Sequence, residues 1–332
     1  MDAKQIVLAS RPEGMPTTDN FAYQDVILPE LQNNQVLLKS IYISVDPYMR
    51  GRMKDKKSYI APFQVDQPIT GSVIALVEES KSPDFPKGTK VLGMLPWATY
   101  SIAEAKTLHK IPPTNIPDSY YIGIVGMPGL TAYFGLIFIC EPQPGETVVV
   151  SGAAGAVGLI VGQIAKIIGC RVVGITGSDE KAQLLTGKFG FNEAINYKTA
   201  PNLSEAISKA CPQGIDCYFD NVGGDITDAV MQHLNMNARV AVCGQIALYN
   251  EMNLSTGLRL LPYILEKSVL MRGFLVSDYK EYFPKALNQL MDWVQAGKLK
   301  YTETILDGFD RLPEAFIGLF TGQNTGKMMV RV

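Results

Sequence analysis

Residues 147–151 (TVVVS) lead through residues 152–158 (GAAGAVG) straight into an apolar stretch that reaches about residue 168. A β-type run that turns through glycines into a helix constrains the chain more than any other feature. The first N–H groups of a helix have no intrahelical partner and face the turn, where the helix dipole favours an anion. Gly155 and Gly158 hold the second and third places of a G-x-G-x-x-G fingerprint, and Ala153 stands in the first. At the second place a glycine lets the backbone approach a pyrophosphate, and at the third it lets helix and strand pack closely. Residues 153–158, with Ala154, Ala156 and Val157 between the fingerprint positions, are therefore expected to cradle a dinucleotide. The plain alternative is a tight, empty strand–helix turn.

The surrounding pattern supports the first reading. Strands are expected at residues 147–151, 171–175, 194–195, 217–220 and 239–243, with helices between them, as at 203–210. Strands alternating with helices at this spacing imply a parallel sheet covered on both faces. The fold class expected is α/β, with a doubly wound dinucleotide-binding domain over residues 126–305. Residues 1–125 differ. Proline and glycine punctuate short β-type runs at 36–45, 71–77 and 90–95, which points to a mostly β domain. A helix at 313–320 and a strand at 328–332 are expected to return to that first domain.

The end of the second strand selects the cofactor. Enzymes that use NADH place an acid there, about 20 residues after the glycine motif, to bind the ribose 2′-hydroxyl. Here Gly177 occupies that place, followed by Ser178, Asp179, Glu180 and Lys181. Removing the carboxylate makes room for a 2′-phosphate, to which Ser178 can donate a hydrogen bond and Lys181 can bring a cation. The expectation is NADPH. Asp179 and Glu180 read as helix N-terminal acids, although Asp179 turned toward the ribose would favour NADH instead.

The rest of the composition narrows the field. A net charge of −2 leaves no basic excess for nucleic acid. Five scattered cysteines, Cys140, Cys170, Cys211, Cys217 and Cys243, are no disulfide framework and suit a reducing, cytoplasmic location. Residues 1–16 lack the pattern of a secretory signal. The charge-free stretch between Asp118 and Glu141 reaches the roughly 20 residues of a membrane span, but its glycines, tyrosines and proline read as a buried loop and helix. Only His109 and His233 are present, and no cysteine precedes Cys140, so no zinc ligand set can be assembled in the first domain. His109 reads as a surface or edge histidine and His233 as a structural one in a helix.

Several strings carry a family resemblance from about residue 45 onward. They are residues 45–50 (VDPYMR), 127–133 (MPGLTAY), 151–158 (SGAAGAVG), 177–181 (GSDEK), 196–198 (NYK), 216–224 (DCYFDNVGG) and 243–250 (CGQIALYN). With them the chain resembles the zinc-free medium-chain dehydrogenases/reductases, in the leukotriene hydroxydehydrogenase/prostaglandin reductase and alkenal double-bond reductase branch. The resemblance implies a GroES-like β domain, a Rossmann domain, NADPH, no metal and a homodimer. It also implies that Lys181 and Tyr197 meet the 2′-phosphate and that Asn221 faces the cofactor. Loops carrying Cys243, Gly244, Phe274 and Val276 would line the nicotinamide side, and Asn324 would return to the cofactor from the C-terminal segment. Plainer roles remain open: Asn221 as a turn cap, Tyr197 as a surface aromatic, Lys181 as a solvated lysine and Asn324 as a turn residue.

The chemistry implied is hydride transfer to the β-carbon of an enal or enone, with negative charge developing on the carbonyl oxygen. A metal-free site needs a donor aimed at that oxygen. Tyr249, at the end of a cofactor loop, is the first candidate, serving the substrate or the nicotinamide ribose. Tyr48, in the VDPYMR loop, is the second, and can also be read as a core tyrosine. Arg50 of the same loop reads as a brace of the domain interface. Quinone reduction, and NADPH binding or sensing without turnover, are the competing functions.

Overall fold

A computed structural model describes residues 1–253 and 255–332. The chain divides into two compact units. One comprises residues 1–122, 303–324 and 328–332; the other comprises 123–302 and 325–327.

The first unit is built from antiparallel strands. A hairpin pairs β1 (Asp2–Leu8) with β2 (Phe21–Ile27). The larger sheet contains β3 (Gln35–Ser44), β4 (Thr70–Ser80), β5 (Lys90–Pro96), β6 (Tyr100–Glu104) and the two-residue β7 (His109–Lys110). Strands β14 (Glu303–Asp307) and β15 (Lys327–Arg331) complete it in the order β14-β15-β3-β4-β5-β7, with β6 also on β3. The C-terminal return is thus part of this sheet. The helix Leu312–Thr321 explains why it stays there. Its buried Leu312, Ala315, Phe316 and Leu319 recur at helical spacing, and Phe316 meets the fully buried Trp97 edge-on at 6.3 Å while Phe21 stacks on that indole. His109 is exposed on the edge strand.

In the second unit, β8 (Thr147–Ser151), β9 (Arg171–Thr176), β10 (Glu193–Asn196), β11 (Ile215–Asp220), β12 (Leu234–Val242) and β13 (Leu270–Gly273) form one sheet ordered β10-β9-β8-β11-β12-β13. All of its pairings are parallel. This is the doubly wound order of dinucleotide-binding folds, whose ligand crevice lies outside the carboxyl ends of the strands where the order reverses, between β8 and β11. Every residue of β8 is buried, as a central parallel strand requires. The uncharged stretch after Asp118 forms the helix Met127–Gly135 and a wide turn over Leu136–Cys140. Among the described residues, no helix is long and apolar enough to cross a membrane.

One expectation needs adjustment. His233 does not sit in a helix. The helix Gly224–Met231 ends before it, and its Nε2 pairs with the Ser204 hydroxyl at 2.8 Å in the following turn.

Candidate active site

The glycine turn joins β8 to the helix Gly158–Ile168. A Cβ at Gly158 would lie 2.4 Å from the Gly152 carbonyl oxygen and 2.7 Å from Ala153 Cα, so backbone packing demands glycine there. Ala153 is buried and donates its N–H to Ile175 at the end of β9, and the Gly155 N–H bonds the Gly152 carbonyl. Leu159, Ile160 and Val161 already donate to Gly155 and Val157. The N–H groups left to meet a ligand are the earlier ones, around Ala156 and Val157. The C-terminal segment reaches the same turn: Gly326 donates to the Ala154 carbonyl at 2.7 Å and bridges Gly155. Asn324 stands two residues before it in the chain.

At the end of β9, no side chain occupies position 177. A Cβ on Gly177 would press on Tyr197 at 3.2 Å and on Lys198 at 3.4 Å. Tyr197 continues the ladder by donating its N–H to the Thr176 carbonyl, and the residue is 39% exposed. Ser178 caps the helix Asp179–Gly187, its oxygen accepting the Lys181 N–H at 3.3 Å. The Ser178 hydroxyl is also hydrogen-bonded with the Glu180 carboxylate. Burial, reinforced by the charge of Lys198, holds the half-buried Lys181 ammonium below its usual pKa. Two ammonium groups beside a carboxylate-free ribose position fit a 2′-phosphate. Lys198 was not among the expected site residues. Its string was noted, but only the fold sets its side chain beside Gly177.

At the end of β11, Asp220 is buried and its carboxylate gathers six donors. The Ser151 and Tyr218 hydroxyls and the N–H groups of Val222 and Gly223 reach one oxygen, at 2.9–3.0 Å. The Thr227 hydroxyl at 2.7 Å and the Gln245 amide at 2.8 Å reach the other. Asn221 follows, bonding the Ser151 hydroxyl with its N–H and the Ser151 carbonyl with its side-chain amide at 2.8 Å. Its role thus includes tying the carboxyl ends of β8 and β11 together. Cys243 and Gly244 both donate to the Asp220 carbonyl. Burial, with Asp220 adding to it, pushes the Cys243 thiol up to about 12, so it stays neutral. Asp220 and Gln245 are the residues that sequence reasoning missed. An acid closing the apolar run Cys217–Phe219 was the available signal.

The Tyr249 hydroxyl oxygen accepts the Gln245 N–H at 3.2 Å, so the ring folds back over its own loop. Phe274 packs edge-on against Phe219 at 6.3 Å, and with Val276 it borders an aromatic cluster around Phe134 and Tyr279. Residues 274–280 were expected as a loop, and from Val276 on they belong to a 3-10 helix over Val276–Tyr282.

Tyr48 lies in the first unit, at the start of the short helix Met49–Arg52. Burial and the nearby Asp46 push its pKa up, against a hydrogen bond with Arg52, so its hydroxyl stays protonated near neutrality. Tyr48 also packs on the core of that unit. Arg50 is buried and donates to the Pro12 and Gly14 carbonyls, both within its own unit.

Two family models match the chain: an N-terminal domain of oxidoreductase over residues 4–111, and a zinc-binding dehydrogenase over residues 156–294. Among the described residues, no group of three or more His, Cys, Asp or Glu side chains is placed to hold a metal ion. The NADP(+)-dependent 2-alkenal reductase of Nicotiana tabacum is 46% identical over 99% of this chain and 97% of its own length. Prostaglandin reductase 1 of Mus musculus is 44% identical over 100% of this chain and 99% of its own. The crystal structure of CurA from Vibrio vulnificus in complex with NADPH superposes with a TM-score of 0.94 at 42% identity, covering 99% of both chains. The doubly wound sheet, the glycine turn and this likeness along the whole chain agree: the protein belongs to the medium-chain dehydrogenase/reductase family, in the branch of the prostaglandin and alkenal double-bond reductases.

Proposed function

We infer that this NADP-dependent oxidoreductase reduces the carbon–carbon double bond of α,β-unsaturated aldehydes and ketones, with NADPH as the hydride donor. The observation that carries the cofactor is the end of β9, where Gly177 presents no carboxylate, Tyr197 and Lys198 lie against it, and Lys181 stands near Lys198. The names of the tobacco and mouse relatives support the substrate class.

The bound nicotinamide would supply a hydride to the β-carbon. The residues of the chain bind, orient and stabilise. The glycine turn and the N-terminus of the helix Gly158–Ile168 hold the pyrophosphate. Lys181, Ser178 and Tyr197 hold the adenosine ribose and its phosphate. Asn221, Cys243, Gly244, Phe274 and Val276 shape the nicotinamide side, and Asn324 approaches from the return segment. As charge develops on the carbonyl oxygen, a fixed O–H donor lowers the barrier. Tyr249 is assigned that role, with Tyr48 as the second donor. Five unpaired thiols accord with a cytoplasmic location.

The test is a panel of enals, enones and quinones followed by NADPH absorbance. Enals and enones should turn over best. Turnover of quinones with little of enones would make the chain a quinone reductase, and tight NADPH binding without turnover would make it a binding or sensor protein. Lys181→Ala should raise the NADPH KM about fivefold or more while leaving NADH kinetics nearly unchanged, because only a charge-assisted phosphate contact is lost. Equal losses with both cofactors would remove Lys181 from the phosphate site.

A homodimer is also proposed. Strand β13 ends the sheet with one paired side, and Leu270 on it is exposed, as are Leu261 and Leu265 of the helix Leu260–Glu266. An open edge flanked by exposed leucines invites pairing across a two-fold axis. Light scattering at micromolar concentration should give twice the chain mass; the mass of one chain would contradict this.

A further inference from the structure

Two acids begin the helix that follows Gly177, and an acid beside the ribose ordinarily favours NADH and repels a 2′-phosphate. Glu180 is engaged by the Ser178 hydroxyl and by its own backbone. Asp179 is engaged from a different strand. Asn196, the last residue of β10, donates from Nδ2 to Asp179 Oδ1 at 2.7 Å. The other end of the same amide is also in use: Asn196 Oδ1 accepts the Lys198 N–H at 3.1 Å. The Asn196 carbonyl accepts from Thr199 and Ala200, which tightens the turn after β10. In the β9–β10 register Asn196 faces Thr176, the residue before Gly177. One side chain thus links the acid that would oppose the phosphate to the backbone of the lysine that would attract it.

We propose that Asn196 is a positioning residue for cofactor choice: its amide N–H group holds the Asp179 carboxylate off the adenosine ribose, and its carbonyl oxygen sets the backbone that carries Lys198 to the 2′-phosphate. This rests on the NADPH reading above and adds to it a second cation, Lys198, and the device that arranges the two charges. The chemistry is selective because the amide offers a donor to the acid and an acceptor to the backbone at once. Leucine has similar bulk and offers neither, and an aspartate would repel Asp179. Released, the Asp179 carboxylate sits at the helix N-terminus next to the position from which acids elsewhere bind a ribose 2′-hydroxyl. Lys198 loses its fixed approach in the same step.

The experiment compares wild type, Asn196→Ala, Asp179→Ala and the double variant. The readouts are NADPH and NADH kinetics and calorimetric binding of 2′-AMP against 5′-AMP, which differ in where the phosphate sits. Wild type should prefer NADPH and 2′-AMP. Asn196→Ala should lower the NADPH-over-NADH ratio of kcat/KM by about tenfold, through KM with kcat kept, because a like charge is released and a cation displaced. Its 2′-AMP affinity should fall in parallel while 5′-AMP affinity holds. Removing the carboxylate as well should restore much of that ratio. Asp179→Ala alone should leave 2′-AMP affinity within about twofold, since the acid is already held away; this variant keeps the proposal testable should Asn196→Ala fold poorly. A selective wild type whose Asn196→Ala variant is equally selective would overturn the proposal and leave the NADPH reading standing. So would a loss of 2′-AMP affinity in Asp179→Ala of fivefold or more. A wild type indifferent to the 2′-phosphate would remove both.

Discussion

Asp220→Ala should destabilise the protein by about 3–5 kcal/mol and lower its melting temperature by roughly 10 °C. Six donors converge on this carboxylate from β8, β11, the following turn, the helix Gly224–Met231 and the loop after β12. Alanine leaves the N–H groups of Val222 and Gly223 without their acceptor, while the Tyr218 hydroxyl keeps only the Thr227 hydroxyl as partner. Each such orphan costs about 1–3 kcal/mol. Part of the loss should be functional, because the carboxylate orients the Ser151 hydroxyl that accepts the Asn221 N–H and holds the Gln245 amide of the loop after β12. NADPH affinity should therefore fall in the fraction that remains folded. Asp220→Asn separates shape from charge. An amide oxygen keeps the four bonds at one position. At the other, the Thr227 hydroxyl can rotate to accept, and the Gln245 amide can turn to present its oxygen. The asparagine variant should lose only about 1 kcal/mol. Chemical denaturation measures both, and an alanine variant within about 1 kcal/mol of wild type would show that this network holds little.

Tyr249→Phe should slow enone reduction about tenfold or more, because it removes an O–H donor while keeping the ring and its packing. The strongest known donors of this kind are worth roughly 3–4 kcal/mol. A smaller loss is expected here because Tyr48, kept protonated by its burial, can share the load. The structure adds a second consequence. The Tyr249 oxygen accepts the Gln245 N–H, and Gln245 in turn bonds Asp220. Phenylalanine thus frees one backbone donor in the loop after β12. Two measurements separate the effects. A fall in kcat at unchanged NADPH affinity places the hydroxyl on the substrate oxygen. Weakened NADPH affinity with kcat intact places it on the nicotinamide ribose or in the loop. If both stay at wild-type values while Tyr48→Phe is slow, Tyr48 is the donor.

Several parts of the fold were legible in the sequence because their causes are local. A β-branched run followed by glycines and an apolar helix can do little other than turn sharply and pack back, and position 158 shows why: a Cβ there would meet the backbone six residues earlier. The alternation of short strands and helices through residues 147–273 decided the parallel sheet. The glycine at 177, in place of an acid, suggested the cofactor. Each of these signals spans no more than a few turns of chain. The hidden parts depend on partners far apart in sequence. Asp220 draws donors from Ser151, 69 residues before it, and from Gln245, 25 residues after it. Asn196 meets Asp179 across 17 residues because parallel strands bring their carboxyl ends together. Gly326 reaches Ala154 from the opposite end of the dinucleotide-binding unit. Sequence by itself determined the doubly wound sheet and its phosphate turn, since steric limits and hydrophobic periodicity act between near neighbours. Tertiary structure decided which buried acid organises the loops after β11 and β12 and which amide faces the helix acid, because a hydrogen bond is set by where distant backbone segments finally lie.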